Sequence, residues 1–184
     1  MAEATRRAVL ASGLLAMSGS AAAQTDAFGF RFRAIEGGEL PLSQFRGRPM
    51  LVVNTASFCG YTPQYAGLQR LHERYGPRGL VVLGVPSQEF RQESGDEATI
   101  RQFCDAEFGI TFPMTGLERL RGRDAHPFYL WLAAQAGPVG WNFHKYLVWP
   151  DGLRVQAFAT GVQPEAPALL RAIEAALAAM PGRG

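Results

Sequence analysis

An α/β domain with a central mixed β-sheet and helices on both faces is what this 184-residue sequence predicts. Three observations carry that expectation. Two short apolar runs, Met50 to Val53 and Leu80 to Val85, flank a segment of helical periodicity, the arrangement of a parallel β-α-β unit. Asp151-Gly152 separates two strand-like runs, a hairpin signal that adds antiparallel strands to the sheet. Leu169, Leu170, Ile173, Leu177 and Met180 share one stripe of a last helix. Strands alternating with helices make a layered domain, and its β-α-β crossover is right-handed.

In chain order, Thr5-Arg6-Arg7 opens a short apolar run to Met17, and small residues from Ser18 to Ala23 follow. That is the pattern of an export signal of twin-arginine type with cleavage after Ala23. The run is too short to span a bilayer, so residues 24–184 are expected as one soluble, periplasmic domain without stable membrane association. Phe28 to Ala34 alternates ahead of Gly37-Gly38, a short hairpin. After the 50–53 strand, Thr62 reads as an N-cap with Pro63 in the first helical position. Tyr65, Leu68, Leu71 and Tyr75 give the helix its apolar face. Ser94-Gly95-Asp96-Glu97 reads as a capping box opening a helix to about Glu107. Phe112-Pro113-Met114 is extended, a helix covers Pro127 to Ala134, and Tyr146–Trp149 pairs with Leu153–Phe158.

Composition narrows the function classes. With 47% hydrophobic and 18% charged residues the chain is neither disordered nor a membrane bundle. Its net charge of +2 falls to about +1 without residues 1–23, which carry two arginines and one glutamate. No nucleic-acid partner is expected from that balance. Glu118 to Arg123 is arginine-rich and reads as a solvated loop.

Cys59 is the most informative residue. It stands at a strand-to-helix corner, ahead of a helix N-terminus whose amides and dipole favour a thiolate. A thiolate attacks disulfides and peroxides; a buried structural cysteine is the plainer reading. The run Asn54-Thr55-Ala56-Ser57-Phe58-Cys59-Gly60-Tyr61-Thr62 resembles the nucleophile segment Asn-x-Ala-Ser-x-Cys-Gly-Tyr-Thr of the glutathione peroxidase family. Trp141-Asn142-Phe143-His144-Lys145-Tyr146-Leu147-Val148 is similar to that family's Trp-Asn-Phe-x-Lys-Phe-Leu-Val block. The resemblance extends over roughly residues 27–180 and implies a thioredoxin fold, which the element order also fits.

The family resemblance implies that Cys59 reduces hydrogen peroxide or organic hydroperoxides, passing through a sulfenic acid. It implies Trp141 and Asn142 as donors beside the sulfur; read alone, they are a core aromatic and a turn residue. The family's Phe-Pro-Cys-Asn-Gln-Phe-Gly segment, whose Gln completes the site, corresponds to Val85-Pro86-Ser87-Gln88-Glu89-Phe90-Arg91. Anchored on Pro86 and Phe90, that position holds Glu89, which donates only when protonated or else acts as a base. A solvated loop carboxylate is its other reading. Gln88 is the substitute donor if the loop, one residue shorter than usual, shifts.

Cys104 matches the resolving cysteine of the thioredoxin-linked, two-cysteine bacterial branch. That match implies a Cys59–Cys104 disulfide reduced by a thioredoxin-like protein or by glutathione; a core-facing thiol is the other reading. Residues 135–140 leave no room for the long insertion that builds tetramers in animal members, so a monomer, or at most a small oligomer, is implied. His72, His126 and His144 show no ligand spacing with the cysteines and read as surface or helix-end residues. No metal or cofactor is expected. Lys145 follows the family pattern or is a solvated strand-edge lysine. A redox-sensing or partner-binding module with little turnover is the competing function. A static disulfide between the two cysteines is a third reading.

Overall fold

The computed structural model describes residues 26–182, so the expected export segment lies outside the described residues. Strands β1 (Arg31–Arg33) and β2 (Glu39–Pro41) form the early antiparallel hairpin, with Phe32 opposite Leu40. Its turn uses Gly37 and Gly38 at φ 93° and 81°, a conformation that a side chain would strain.

The main sheet contains β3 (Met50–Thr55), β4 (Val81–Pro86), β5 (Lys145–Val148) and β6 (Val155–Phe158) in the order β4-β3-β5-β6. β3 runs parallel to β4 and antiparallel to β5, and β5 is antiparallel to β6, so the sheet is mixed. Every residue of β3 and β4 is buried, as in a sheet covered on both faces.

The two faces carry two cores, set by the period-2 alternation of the strands. Leu51 and Val53 pack with Leu68 and Leu71 of α1 (Gln64–Tyr75) and with Leu169, Ile173 and Leu177 of α4 (Pro167–Ala178). Met50 and Val52 face the other way, onto Phe128 and Leu132 of α3 (Pro127–Ala136) and onto Phe28 and Leu42. Ile100 and Cys104 of α2 (Glu97–Phe108) join the first core. Met114 bridges to Gly84, where an added Cβ would meet the Phe112 ring at 3.1 Å and Met114 at 3.2 Å.

Two helix caps differ from expectation. Asp96, not Ser94, caps α2: its carboxylate accepts the Thr99 N–H at 2.9 Å. Glu97 is drawn instead to the Leu117 amide at 2.7 Å and to Arg33. Thr62 does not cap α1, which begins at Gln64 without a side-chain cap. No helix among the described residues is long and apolar enough to cross a membrane.

Candidate active site

The loop between β3 and α1 is tied shut by Thr62. Its hydroxyl accepts the Cys59 N–H at 3.0 Å and donates to the Ala56 carbonyl at 2.8 Å. The Thr62 N–H returns to the Cys59 carbonyl at 3.0 Å. A shorter side chain without an oxygen would leave a buried amide unpaired. The result is a corner that holds Cys59 with only 8% of its surface exposed, while the Tyr61 N–H points at its Sγ from 3.4 Å. Phe58 (66% exposed) and Tyr61 flank it as solvent-facing aromatics.

Trp141 and Asn142 lie on the turn leading into β5. The turn is drawn against β3: the Asn54 side chain donates to the Trp141 carbonyl at 3.1 Å, and the Phe143 N–H donates to the Asn54 carbonyl at 2.7 Å. Asn142 is fully buried and Trp141 is partly exposed, its ring 4.7 Å from that of Phe90.

What joins this turn to the Cys59 loop is Gln92. Its side-chain oxygen accepts the Asn142 Nδ2–H at 2.9 Å, and its backbone carbonyl accepts the Phe58 N–H at 2.9 Å. Glu93, next along, is a buried carboxylate whose Oε1 accepts the Ser57 N–H at 3.2 Å and the Ser94 N–H at 2.8 Å. Burial raises its pKa; the serine hydrogen bonds oppose that rise. The 92–93 pair therefore grips the two residues ahead of Cys59. The bond to Gln92 uses one N–H of Asn142. The second Asn142 N–H and both Gln92 Nε2 donors make no hydrogen bond among the described residues.

Among the described residues Glu89 makes no hydrogen bond to this constellation, and Gln88 meets it only at the Glu93 carbonyl. The Glu89 carboxylate accepts the Leu120 N–H at 3.3 Å, and Glu89 lines a cavity of about 340 Å³ with Gln88, Glu118 and Arg119. Gln88 is exposed, its Nε2 donating to the Glu93 carbonyl at 3.3 Å. Sequence reading missed Gln92 because the segment was anchored on Pro86 and Phe90. The available signal was a second glutamine four residues after Gln88, in a loop already one residue short.

Cys104 faces the core from α2 with no exposed surface and shares its cluster with Cys59, Tyr65, Ile100 and Phe143. Both thiols are free. Burial pushes the Cys104 thiol up to about 11, opposed by the nearby Tyr65 hydroxyl.

Lys145 corrects the expectation of a solvated strand edge. β5 is flanked by β3 and β6, and Lys145 is fully buried with its Nζ donating to the Phe143 carbonyl at 2.7 Å. Burial lowers its pKa to about 7. His126 is a helix-end residue: its Nδ1 accepts the Phe128 N–H at 3.2 Å, at the start of α3. His72 and His144 are partly buried. Among the described residues, no group of three or more His, Cys, Asp or Glu could hold a metal ion.

Known proteins resemble this chain in sequence and fold. Residues 27–133 match the family described as glutathione peroxidase. The hydroperoxy fatty acid reductase gpx1 of Synechocystis sp. is 38% identical over 158 residues, 79% of this chain and 94% of that protein. The thioredoxin/glutathione peroxidase BtuE of Escherichia coli is 34% identical over 170 residues, 78% of this chain and 93% of that protein. The crystal structure of Trgpx in apo form aligns with a TM-score of 0.69 at 32% identity, covering 85% of this chain and 97% of that one. With its thioredoxin fold and this match across most of its length, the chain belongs to the glutathione peroxidase family and is a peroxidase.

Proposed function

We propose that Cys59 is the peroxidatic nucleophile and that Gln92, Asn142 and Trp141 supply the donors around it. The Cys59 thiolate attacks one oxygen of the hydroperoxide; the O–O bond breaks, an S–O bond forms, and the departing alkoxide or hydroxide takes a proton. Cys59 is oxidised to the sulfenic acid and the peroxide is reduced to alcohol or water. Preorganised N–H donors lower the barrier by stabilising charge on the departing oxygen. The observation that carries this reading is the Gln92 bridge, which ties the Asn142 amide to the residue before Cys59 and leaves three N–H donors unused. Glu89, occupied with Leu120, is outside that role.

In the second step Cys104 attacks the sulfenic sulfur, expelling water and forming a Cys59–Cys104 disulfide. A thioredoxin-like dithiol, or glutathione, then reduces that disulfide by exchange. The burial of Cys104 in α2 requires that helix to open locally first. It also favours a second reading, a redox-sensing module in which resolution is slow and turnover small. The protein acts as a monomer and is exported to the periplasm through residues 1–23.

Mass mapping of the reduced protein after one equivalent of peroxide tests the chemistry. The expected product is a Cys59–Cys104 disulfide, with a trappable sulfenic acid on Cys59 in Cys104→Ser. Unchanged thiols would overturn the proposal. A Cys59 sulfenic acid that persists in the wild-type protein would favour the sensing reading.

A further inference from the structure

Phe143 has a backbone φ of 60°, the left-handed region that a bulky side chain enters only when its surroundings hold it there. Three consecutive carbonyls on this turn each receive a side-chain donor from a different strand or loop. The Trp141 carbonyl takes the Asn54 Nδ2–H at 3.1 Å, and the Asn142 carbonyl takes the Thr160 hydroxyl at 2.9 Å. The Phe143 carbonyl takes the Lys145 ammonium or amine at 2.7 Å. All three donor residues are buried: Asn54 is 1%, Thr160 9% and Lys145 0% exposed. Asn54 sits on β3, Lys145 on β5 opposite Val53 and Phe158, and Thr160 just past β6.

We infer that Asn54, Thr160 and Lys145 are positioning residues for peroxide reduction, pegging the Trp141–Asn142–Phe143 turn so that the Asn142 amide meets Gln92 beside the nucleophile loop. The inference rests on the donor role of Asn142 proposed above. A buried lysine with one carbonyl as its hydrogen-bond partner is an expensive way to fill a core position. An apolar side chain would pack there and leave the Phe143 carbonyl free to turn. With the peg removed, φ of Phe143 relaxes toward negative values and Asn142 swings away from Gln92. A displacement of about 1 Å at such a donor is enough to slow chemistry markedly. The set does not touch substrate, so its signature is a selective one: slower reaction with peroxide and unchanged intrinsic reactivity of the Cys59 thiol.

The test uses the reduced protein with two reagents, hydrogen peroxide and iodoacetamide, following Cys59 in a single turnover. Alkylation needs the thiolate and not the donors on the turn. Lys145→Met is expected to lower the second-order rate with peroxide by about tenfold or more, while alkylation stays within about threefold. In an Asn142→Ala background the same change is expected to cost nothing further, because the two act through one group. A wild-type peroxide rate in Lys145→Met, an equal loss in both reactions, or full additivity with Asn142→Ala would each overturn the inference. Should Lys145→Met not fold, Thr160→Val decides: it keeps the shape and removes the hydroxyl, and a loss of about threefold or more with peroxide alone is expected. An unchanged rate in Thr160→Val overturns the inference. Asn142→Ala at the wild-type rate defeats the donor role itself; a slow Asn142→Ala beside a fast Lys145→Met defeats only the pegging.

Discussion

Gln92 and Asn142 are joined amide to amide, Nδ2 of one to Oε1 of the other at 2.9 Å, while the Gln92 carbonyl holds Phe58 from the same distance. One residue therefore ties the Asn142 turn to the residue before Cys59. Gln92→Ala is expected to lower the second-order rate of Cys59 oxidation by about 10- to 100-fold, the scale of losing a preorganised donor. Glu89→Gln, whose carboxylate serves the Leu120 amide, is expected to stay within about threefold. Stopped-flow peroxide oxidation measures both. A large effect at Glu89 with none at Gln92 would reverse the assignment.

Cys104 and Cys59 share a core cluster, yet only Cys59 has exposed surface. The thiol of Cys104, pushed up to about 11, is almost wholly protonated at neutral pH, and reagents reach it only when α2 opens. Iodoacetamide at pH 7.5 is expected to alkylate Cys59 about 100-fold faster or more. Peptide mass mapping over a time course reads the two rates separately. Equal labelling would mean that α2 is already open in the reduced protein, and the opening step before resolution would be withdrawn.

Much of this architecture is legible in the residues. Met50–Val53, Leu80–Val85 and the Asp151-Gly152 turn announce their strands because buried parallel strands are apolar on both faces and Asp-Gly suits a tight hairpin. The caps were misread for a local reason. Thr62 and Ser94 carry the oxygen that a cap needs, but neighbouring groups compete for it: the Cys59 amide claims Thr62, and Asp96 stands closer to α2. Of the two readings of Lys145, the solvated strand edge fails because burial of a strand depends on its neighbours. The Asp151-Gly152 turn pairs β5 with β6, but nothing in Trp141 to Val148 says that β3 flanks its other side. The Gln92 bridge was not legible because the segment, anchored on Pro86 and Phe90, puts the family's Gln position at Glu89.

The buried lysine makes a pH-dependent contribution whose sign can be worked out. Its folded pKa is about 7, while in the unfolded chain it returns to about 10.4. Between those values the unfolded chain binds a proton that the folded chain does not. Stability therefore rises with pH across that window, by up to about 1.4 kcal/mol per unit. Below about 7 both states are protonated, and the whole penalty of burying the charge is present. Lys145→Met abolishes this dependence. Its stability relative to wild type is expected to be highest near pH 6 and to fall steadily toward pH 10. Urea unfolding of both proteins at pH 6, 8 and 9.5 supplies the comparison, and parallel pH profiles would show that Lys145 is not the titrating group.

One Thr62 hydroxyl closes the corner that holds Cys59. Its oxygen serves the Cys59 N–H and the Ala56 carbonyl, and the residue is only 7% exposed. Thr62→Val keeps the shape and orphans both backbone groups, so a loss of about 1–3 kcal/mol is expected. The urea midpoint should fall with an unchanged slope, the mark of altered stability in the same folded state. Thr62→Ser, which restores the oxygen, is expected to recover most of the loss. Hydrogen exchange separates this role from that of a helix cap. Faster exchange in Thr62→Val should appear at the Cys59 amide, whereas a capping role would place it at the first amides of α1. Acceleration confined to α1 would return Thr62 to the capping role that its sequence context suggests.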